Sequence, residues 1–407
     1  MRSGGRTDPR PAEREKEDPM TTRRLGWRTF LAILAIALVA AACSSDDSGS
    51  DTTAAGGAAT ETTAGAGGTD TTAPAEMEKV RLQLQWFTQA QFAGYFAAVD
   101  QGFYANEGLE VEILQGGVDI VPQQVLGAGG AEFALSWVPK ALVSREEGID
   151  IVDVGQVFER SGTLEVAWAD SGITTPEDWA GKKVGNWGFG NEFELTAAIE
   201  KFQVPDVELI QQAFDMSALL NNEVDAAEAM IYNEYAQVLE TVNPDTGELY
   251  QPEDLSVIDF NEVGTAMLQD AVWVTQEYLD GNRDTVERFL KASFEGWIWC
   301  RDNFDACVDV VLANAPTLGK SHQQWQLNEI NGLIWPSSQG IGVVSEPLWA
   351  QTVDVAVSEG ILSEPPDEGA ERTDVAAAAT ELLASEGVDV TGADWEPQTV
   401  ELIEGGN

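Results

Sequence analysis

The sequence predicts an α/β protein large enough for two lobes. Three observations carry this. Short runs with period-2 alternation, such as Val80, Leu82, Leu84 and Trp86, are half-buried strands. Between them lie segments with apolar residues at helical spacing, as in Phe92, Tyr95, Phe96 and Val99. Strand and helix alternate at short intervals in two successive sets, which favours mostly parallel sheets. A chain of 407 residues is long enough to hold both.

The first set opens with the strand ending at Trp86 and a polar loop over 88–91. The helix from Phe92 is broken at Gly102 and Gly108, and Leu109, Val111 and Ile113 alternate again. This is a compact βαβ unit. The loop after its first strand faces the crevice where α/β proteins bind ligands, so Trp86 and Gln91 mark a candidate site. A helix over 119–126, a strand over 132–137, a helix over 141–147 and a strand over 149–157 follow. Residues 164–168 are expected to be the strand that leaves this lobe. The second set begins at Thr175, an N-cap with Pro176 at the first helical position. A strand over 183–187 runs through Gly188, Phe189, Gly190, Asn191 and Glu192 into a helix ending near 202. Strands over 207–211, 226–231 and 255–260 alternate with helices over 216–221 and 234–241. A strand over 271–275, a long helix over 283–299 and a helix over 373–385 complete the prediction.

The front of the chain reads as an export signal. Either Met1 or Met20 could start it. Arg23, Arg24 and Arg28 precede the apolar run 30–42, which is too short to span a bilayer. That run ends in three alanines before Cys43, the pattern of a bacterial lipoprotein signal. The other account is an ordinary signal with a chance cysteine. Residues 44–76 are low-complexity, mostly Ser, Thr, Gly, Ala and Asp with no Lys, Arg or large apolar residue, and cannot bury a core. As a flexible linker they would span roughly 30 Å. A lipidated Cys43, a linker over 43–77 and a folded body describe a tethered catcher on the outer face of the cytoplasmic membrane.

The formal charge is −47, and from Cys43 onward 64 acidic residues face 14 basic ones. Such a surface repels nucleic acid and anionic lipid, so neither is an expected partner. The 13 tryptophans support a substantial core. With three cysteines, no C-x-x-C and one histidine, His322, an ordinary zinc site is not expected. Neither is a cofactor. Cys300 and Cys307 are about 10.5 Å apart if they share one straight helix, too far for a disulfide, but a helix corner would let them pair. Two buried thiols are the other account.

The segment W-x-x-x-A-Q-F-A-G-Y-F-A-A-x-D-x-G-F-Y-x-x-E-G-L-E-V-E-I from Trp86 resembles the opening of the thiamine-pyrimidine family of ABC-transporter solute-binding lipoproteins. That family also contains pyrimidine synthases and is related to the alkanesulfonate-binding proteins. The likeness runs from about residue 79 to about 299. It implies a two-lobed, type II periplasmic-binding-protein-like fold with a ligand cleft between lobes. Lobe one would comprise 78–170 and 265–360, lobe two 171–264, and 361–407 a C-terminal extension. It also implies a monomer whose partners are a small ligand and a separate ABC permease with its ATPase, since the chain has no Walker motif.

Four clusters are candidates for the ligand site. Trp86, Gln91 and Tyr95 pair an indole with amides, suited to a flat, polar-edged ligand. Ser136 and Trp137 end a strand. Gly188, Phe189, Gly190, Asn191 and Glu192 form a strand-to-helix loop whose N–H groups could face an anion. Tyr232, Asn233 and Glu234 resemble the family's Y-N-E segment, whose carboxylate bonds an amino-pyrimidine edge. The plain alternatives are a core tryptophan, a tight turn and a capped helix start. The synthase branch carries a histidine in the H-T-G that corresponds to Phe92, Ala93 and Gly94, and its cysteine-rich motif has no match. The resemblance therefore implies a binder; the alternatives are a thiamine pyrimidine synthase and, more distantly, a hydrolase using Glu192 and Glu234.

Overall fold

The computed structural model describes residues 76–406. The start, the signal segment, Cys43 and the linker up to residue 75 lie outside the described residues. Among those described, no helix is long and apolar enough to cross a membrane.

The first sheet takes β1 (Glu78–Gln83), β2 (Leu109–Leu114), β3 (Phe133–Ser136) and β4 (Ile151–Gln156). Helices α1 (Ala93–Asp100), α2 (Phe103–Asn106), α3 (Pro122–Gly127) and α4 (Val138–Glu146) connect them. The second sheet takes β5 (Thr163–Trp168), β6 (Lys183–Asn186), β7 (Glu208–Gln211), β8 (Ala226–Met230) and β9 (Leu255–Asp259). Its helices are α5 (Phe193–Lys201), α6 (Ser217–Leu220), α7 (Glu234–Leu239) and α8 (Phe260–Val263). The chain returns as β10 (Ala271–Thr275) to the first sheet. Five helices follow: α9 (Gln276–Asp302), α10 (Phe304–Asn314), α11 (Lys320–Ile334), α12 (Glu346–Ser358) and α13 (Thr373–Ser385).

The two sheets have one plan. Their orders are β2-β1-β3-β10-β4 and β7-β6-β8-β5-β9. In each, the fourth strand is antiparallel and arrives across the boundary, β10 into the first sheet and β5 into the second. This corrects the expectation for 164–168. Strand β5 pairs with β8 and β9, so the sheets part between residues 156 and 163 rather than near 170. It is buried on both faces except at Trp168, so its own period does not say which sheet it joins.

The two crossing segments run side by side. The N–H groups of Val157 and Phe158 both donate to the Asp270 carbonyl, and Gly162 N–H donates to Gln269 Oε1 at 2.8 Å. Burial does the rest. Phe133, Phe289, Phe294 and Trp297 pack the first sheet's helical side, and α1 crosses α9 where Gly94 meets Gly296, a contact with no room for a Cβ. Trp179, Phe260, Val166 and Leu219 fill the second lobe. Cys300 and Cys307 are bonded across the corner between α9 and α10, with Cα atoms 5.0 Å apart. After α13 packs on α9 and β4, the C-terminal residues do not stay on the first lobe. Gly405 N–H donates to the Glu240 carbonyl just past α7, in the second.

Candidate functional site

A cavity of about 580 Å³ lies between the two sheets. Its floor on the first lobe is set by the ends of β1 and β3. Trp86 emerges three residues after β1, and its ring lies 4.9 Å from Phe214 of the second lobe, centroid to centroid. Trp187, just past β6, lies 6.0 Å from Phe214 with nearly parallel rings. Three aromatic rings from both lobes thus line one side of the cavity.

Beneath this wall sits Asp270, fully buried at the crossing. Its carboxylate accepts from Gln85 Nε2, from Gln91 Nε2 at 3.0 Å and from Trp137 Nε1 at 2.9 Å. Burial pushes its pKa up to about 7 against the pull of those three donors. Gln89 Nε2 donates to Gln91 Oε1 at 2.8 Å, so the Gln91 amide is spent inside the protein. Gln91 lines the cavity, but its amide bonds Asp270 at one end and Gln89 at the other.

Lys140, on the first turn of α4, brings a cation to the cavity. Its Nζ lies 4.6 Å from the Trp137 ring centroid and donates to Asn191 Oδ1 at 2.6 Å. That bond joins the two lobes. Burial pulls the amine down to about 8, opposed by the nearby Glu228, Glu192 and Asp270.

The loop before α5 differs from the expected anion site. Gly188, Phe189 and Gly190 all take left-handed φ, at 70°, 58° and 84°. Glu192 folds back so that Gly190 N–H donates to its Oε2 at 2.9 Å, and Asn191 N–H donates to the Gly188 carbonyl. The Gly190 and Asn191 N–H groups are thus taken by the loop itself. Phe189, Gly190 and Asn191 line the cavity, and Phe189 is 77% exposed; Gly188 and Glu192 are not among the lining residues.

On the second lobe, Glu234 opens α7 and is buried at the cavity edge. Its Oε2 accepts from Met230 N–H at 3.0 Å and its Oε1 from Asn233 Nδ2 at 2.7 Å. Burial raises its pKa, and these donors and His322 hold it down. Asn233 makes no helix cap; its side chain bridges Glu234 and His322. Tyr232 also lines the cavity.

Of the residues singled out by sequence, Trp86, Gln91, Ser136, Trp137, Phe189, Gly190, Asn191, Tyr232, Asn233 and Glu234 come together here. Tyr95 does not. It is 1% exposed and packs edge-on against Trp297 at 5.8 Å, because α1 turns that face into the core. Phe92 is likewise buried in the core. Sequence reasoning missed Gln85, Gln89, Lys140, Trp187, Phe214 and Asp270. Lys140 was readable as the residue one helical turn after Trp137. Phe214, in the loop between β7 and α6, and Asp270, at the crossing before β10, carry no local motif.

Comparison with known proteins agrees with this architecture. A formylaminopyrimidine-binding protein from Halalkalibacterium halodurans is 25% identical over 252 residues, 60% of this chain and 74% of that protein. The riboflavin-binding protein RibY of Chloroflexus aurantiacus is 25% identical over 325 residues, 76% of this chain and 89% of that one. Among solved structures, the periplasmic aliphatic sulphonate binding protein of Escherichia coli aligns with a TM-score of 0.55 at 14% identity. It covers 80% of this chain and 94% of its own. The periplasmic nitrate-binding protein of Synechocystis aligns at 0.56 and 12%, covering 78% and 92%. The fold is thus that of the two-lobed periplasmic binding proteins. The model of the NMT1/THI5 like family matches residues 89–306, more than half of the chain, and the protein belongs to that family.

Proposed function

We propose that this protein is the extracytoplasmic solute-binding component of an ABC transporter. It captures a small, flat nitrogen heteroaromatic by closure of its lobes. The observation that carries this reading is the aromatic wall of Trp86, Phe214 and Trp187 beside the Glu234 carboxylate. Rings stack on a flat ligand's faces, and a carboxylate accepts from an amine on its edge. The relatives named for a formylaminopyrimidine and for riboflavin support the same ligand class. Pockets of roughly 300–1,000 Å³ bury drug-sized ligands. At about 580 Å³ the cavity has room for more than a single ring. Phe92 in the core has no side-chain group for acid–base chemistry, which favours binding over the pyrimidine-synthase activity named for other relatives.

The protein is a monomer anchored by a lipid on Cys43, with the permease and ATPase on other chains. Cys43→Ser should release it from membranes; membrane association unchanged in that variant would count against the anchor.

Mass spectrometry of small molecules extracted from the purified protein tests the ligand class. A nitrogen heteroaromatic is the expected result. A sulfonate or nitrate would overturn the reading.

A further inference from the structure

In the proposed function Glu234 reads one edge of the ligand, and the cavity carries a charge of opposite sign on its other lobe. Among the described residues, Lys140 is the only cation that lines it. The other charged lining residues are Glu234 and Asp119, and Asp119 is exposed.

The Lys140 amine is held in place by neighbours that are themselves fixed. Its stem packs against Gly190, its Nζ lies 4.6 Å from the Trp137 ring centroid, and it donates to Asn191 Oδ1 at 2.6 Å. The Trp137 indole is tied to Asp270 through Nε1. Asn191 Nδ2 donates to the Gly188 carbonyl at 2.7 Å, which leaves Oδ1 facing the amine. An ammonium has three N–H groups, and only one is bonded here. Among the described residues no carboxylate pairs with it. Glu228, Glu192 and Asp270 attract it from farther off, and each is bonded elsewhere: Glu228 to Trp187 N–H, Glu192 to Gly190 N–H and Asp270 to its three side-chain donors.

From Cys43 onward 64 acidic residues face 14 basic ones, so the field of the chain opposes an approaching anion. A negatively charged ligand group therefore needs a local cation at the site. The cation here is single, and the Gly190 and Asn191 N–H groups beside it are taken by their own loop. A dianionic phosphate would be left short of donors. A carboxylate carries one charge and is matched by one ammonium.

We infer that Lys140 pairs with a carboxylate on the ligand, so that the cleft selects a flat amino-heteroaromatic bearing an acid group. The amine points to Glu234 on the second lobe and the carboxylate to Lys140 on the first. Such a ligand joins the lobes by two charge-assisted bonds of opposite polarity. This rests on the cleft function proposed for the protein, and it adds the acid group to that ligand class.

The test is calorimetric titration of the full chain at about pH 7, where most of a lysine lowered to about 8 is protonated. The probes are a pterin carboxylate and the matching hydroxymethylpterin, flat bicycles with the amine on one ring and the variable group on the other. Wild type should bind the acid roughly two- to thirtyfold more tightly than the alcohol, the gap between a charge-assisted bond and a neutral one. In Lys140→Met the order should reverse, because the acid then meets Glu228, Glu192 and Asp270 without a cation. Asn191→Ala removes the bond between the lobes but keeps the cation, and it should keep the order of the two probes whatever it does to their affinities. Equal binding of acid and alcohol by wild type, or binding of neither, would overturn the inference. So would a preference for the acid that survives in Lys140→Met, or one lost in Asn191→Ala, which would make Lys140 a strut between lobes. If the Lys140 variant does not fold, the wild-type order decides. A wild type that takes the neutral probe as well as the acid leaves the proposed function standing. A compound without a heteroaromatic ring, extracted from the purified protein, would instead remove that function.

Discussion

The two lobes are built on the same strand order, yet the buried carboxylate Asp270 of the first and the buried carboxylate Glu165 of the second are handled in opposite ways. In the first lobe Asp270 is surrounded by the side-chain donors of Gln85, Gln91 and Trp137, and it ties the loop after β1 to the end of β3. In the second lobe Glu165 and Glu228 face each other across β5 and β8. Neither oxygen of Glu165 has a partner, and Glu228 has one oxygen bonded, to Trp187 N–H at 2.7 Å. Burial drives the Glu165 carboxyl far above its ordinary range, and the charge of Glu228 adds to it. A fully donated carboxylate organises its wall. One without donors is kept neutral by its surroundings. Repetition of a fold does not repeat its electrostatics.

The largest effect should come from removing the organiser. Asp270→Ala leaves two buried donors, Gln91 and Trp137, and the half-buried Gln85 unpaired. At about 1–3 kcal/mol for each buried donor before relaxation, denaturant unfolding should show a loss on the order of 3 kcal/mol. A loss below about 1 kcal/mol would mean that the three donors find other partners. Next is Trp86→Ala, which removes one ring of the wall. Ligand affinity should fall by about 1–3 kcal/mol with little change in fold stability, measured by calorimetry beside a melting curve.

The pH response tests the same buried acids together. Folding raises Asp270 from 3.8 to about 7, and Glu194 and Glu228 from 4.5 to about 8, in each case mainly through burial. The folded chain keeps these protons where the unfolded chain has lost them. Their contribution is whole below the unfolded values near pH 4, declines as pH rises and is gone above about pH 8. Lys140, lowered to about 8, acts the other way only above that pH. The melting temperature should therefore fall from pH 5 to pH 8, and a rise over that range would show that the buried acids are charged in the folded state. The smallest effect belongs to Glu165→Met. An unpartnered buried carboxyl exchanged for an apolar side chain of similar length should change stability by less than about 1 kcal/mol, or improve it. A large loss would reveal a partner for Glu165 and erase the contrast between the lobes.

Much of this was legible in the sequence, and the limits have a physical pattern. Period-2 alternation located β1 and β2 to within a few residues, the helical period found α1, and the expected strand over 271–275 and helix over 373–385 match β10 and α13. The resemblance carried by Trp86 to Ile113 pointed to the cleft. What escaped was long-range. Strand β5 is buried on both faces, so nothing in its own residues assigned it to the second sheet. Tyr95 lies one helical turn beyond Gln91, yet α1 rotates it into the core against Trp297. Asp270 reaches the site through the crossing before β10 and Phe214 through the loop after β7, and α11 and α12 have weak amphipathic periods that gave no clear signal.

The most direct test of the account is calorimetric titration of wild type and Glu234→Gln with the ligand identified from the purified protein. The substitution keeps the shape of the side chain and removes its charge. A charge-assisted bond of about 1.5–3 kcal/mol becomes a neutral one of about 1 kcal/mol. For an amine-bearing heteroaromatic, affinity should drop by about 0.5–2 kcal/mol, roughly two- to thirtyfold. Unchanged or tighter binding would contradict the account, because the carboxylate would then not be reading the ligand's edge.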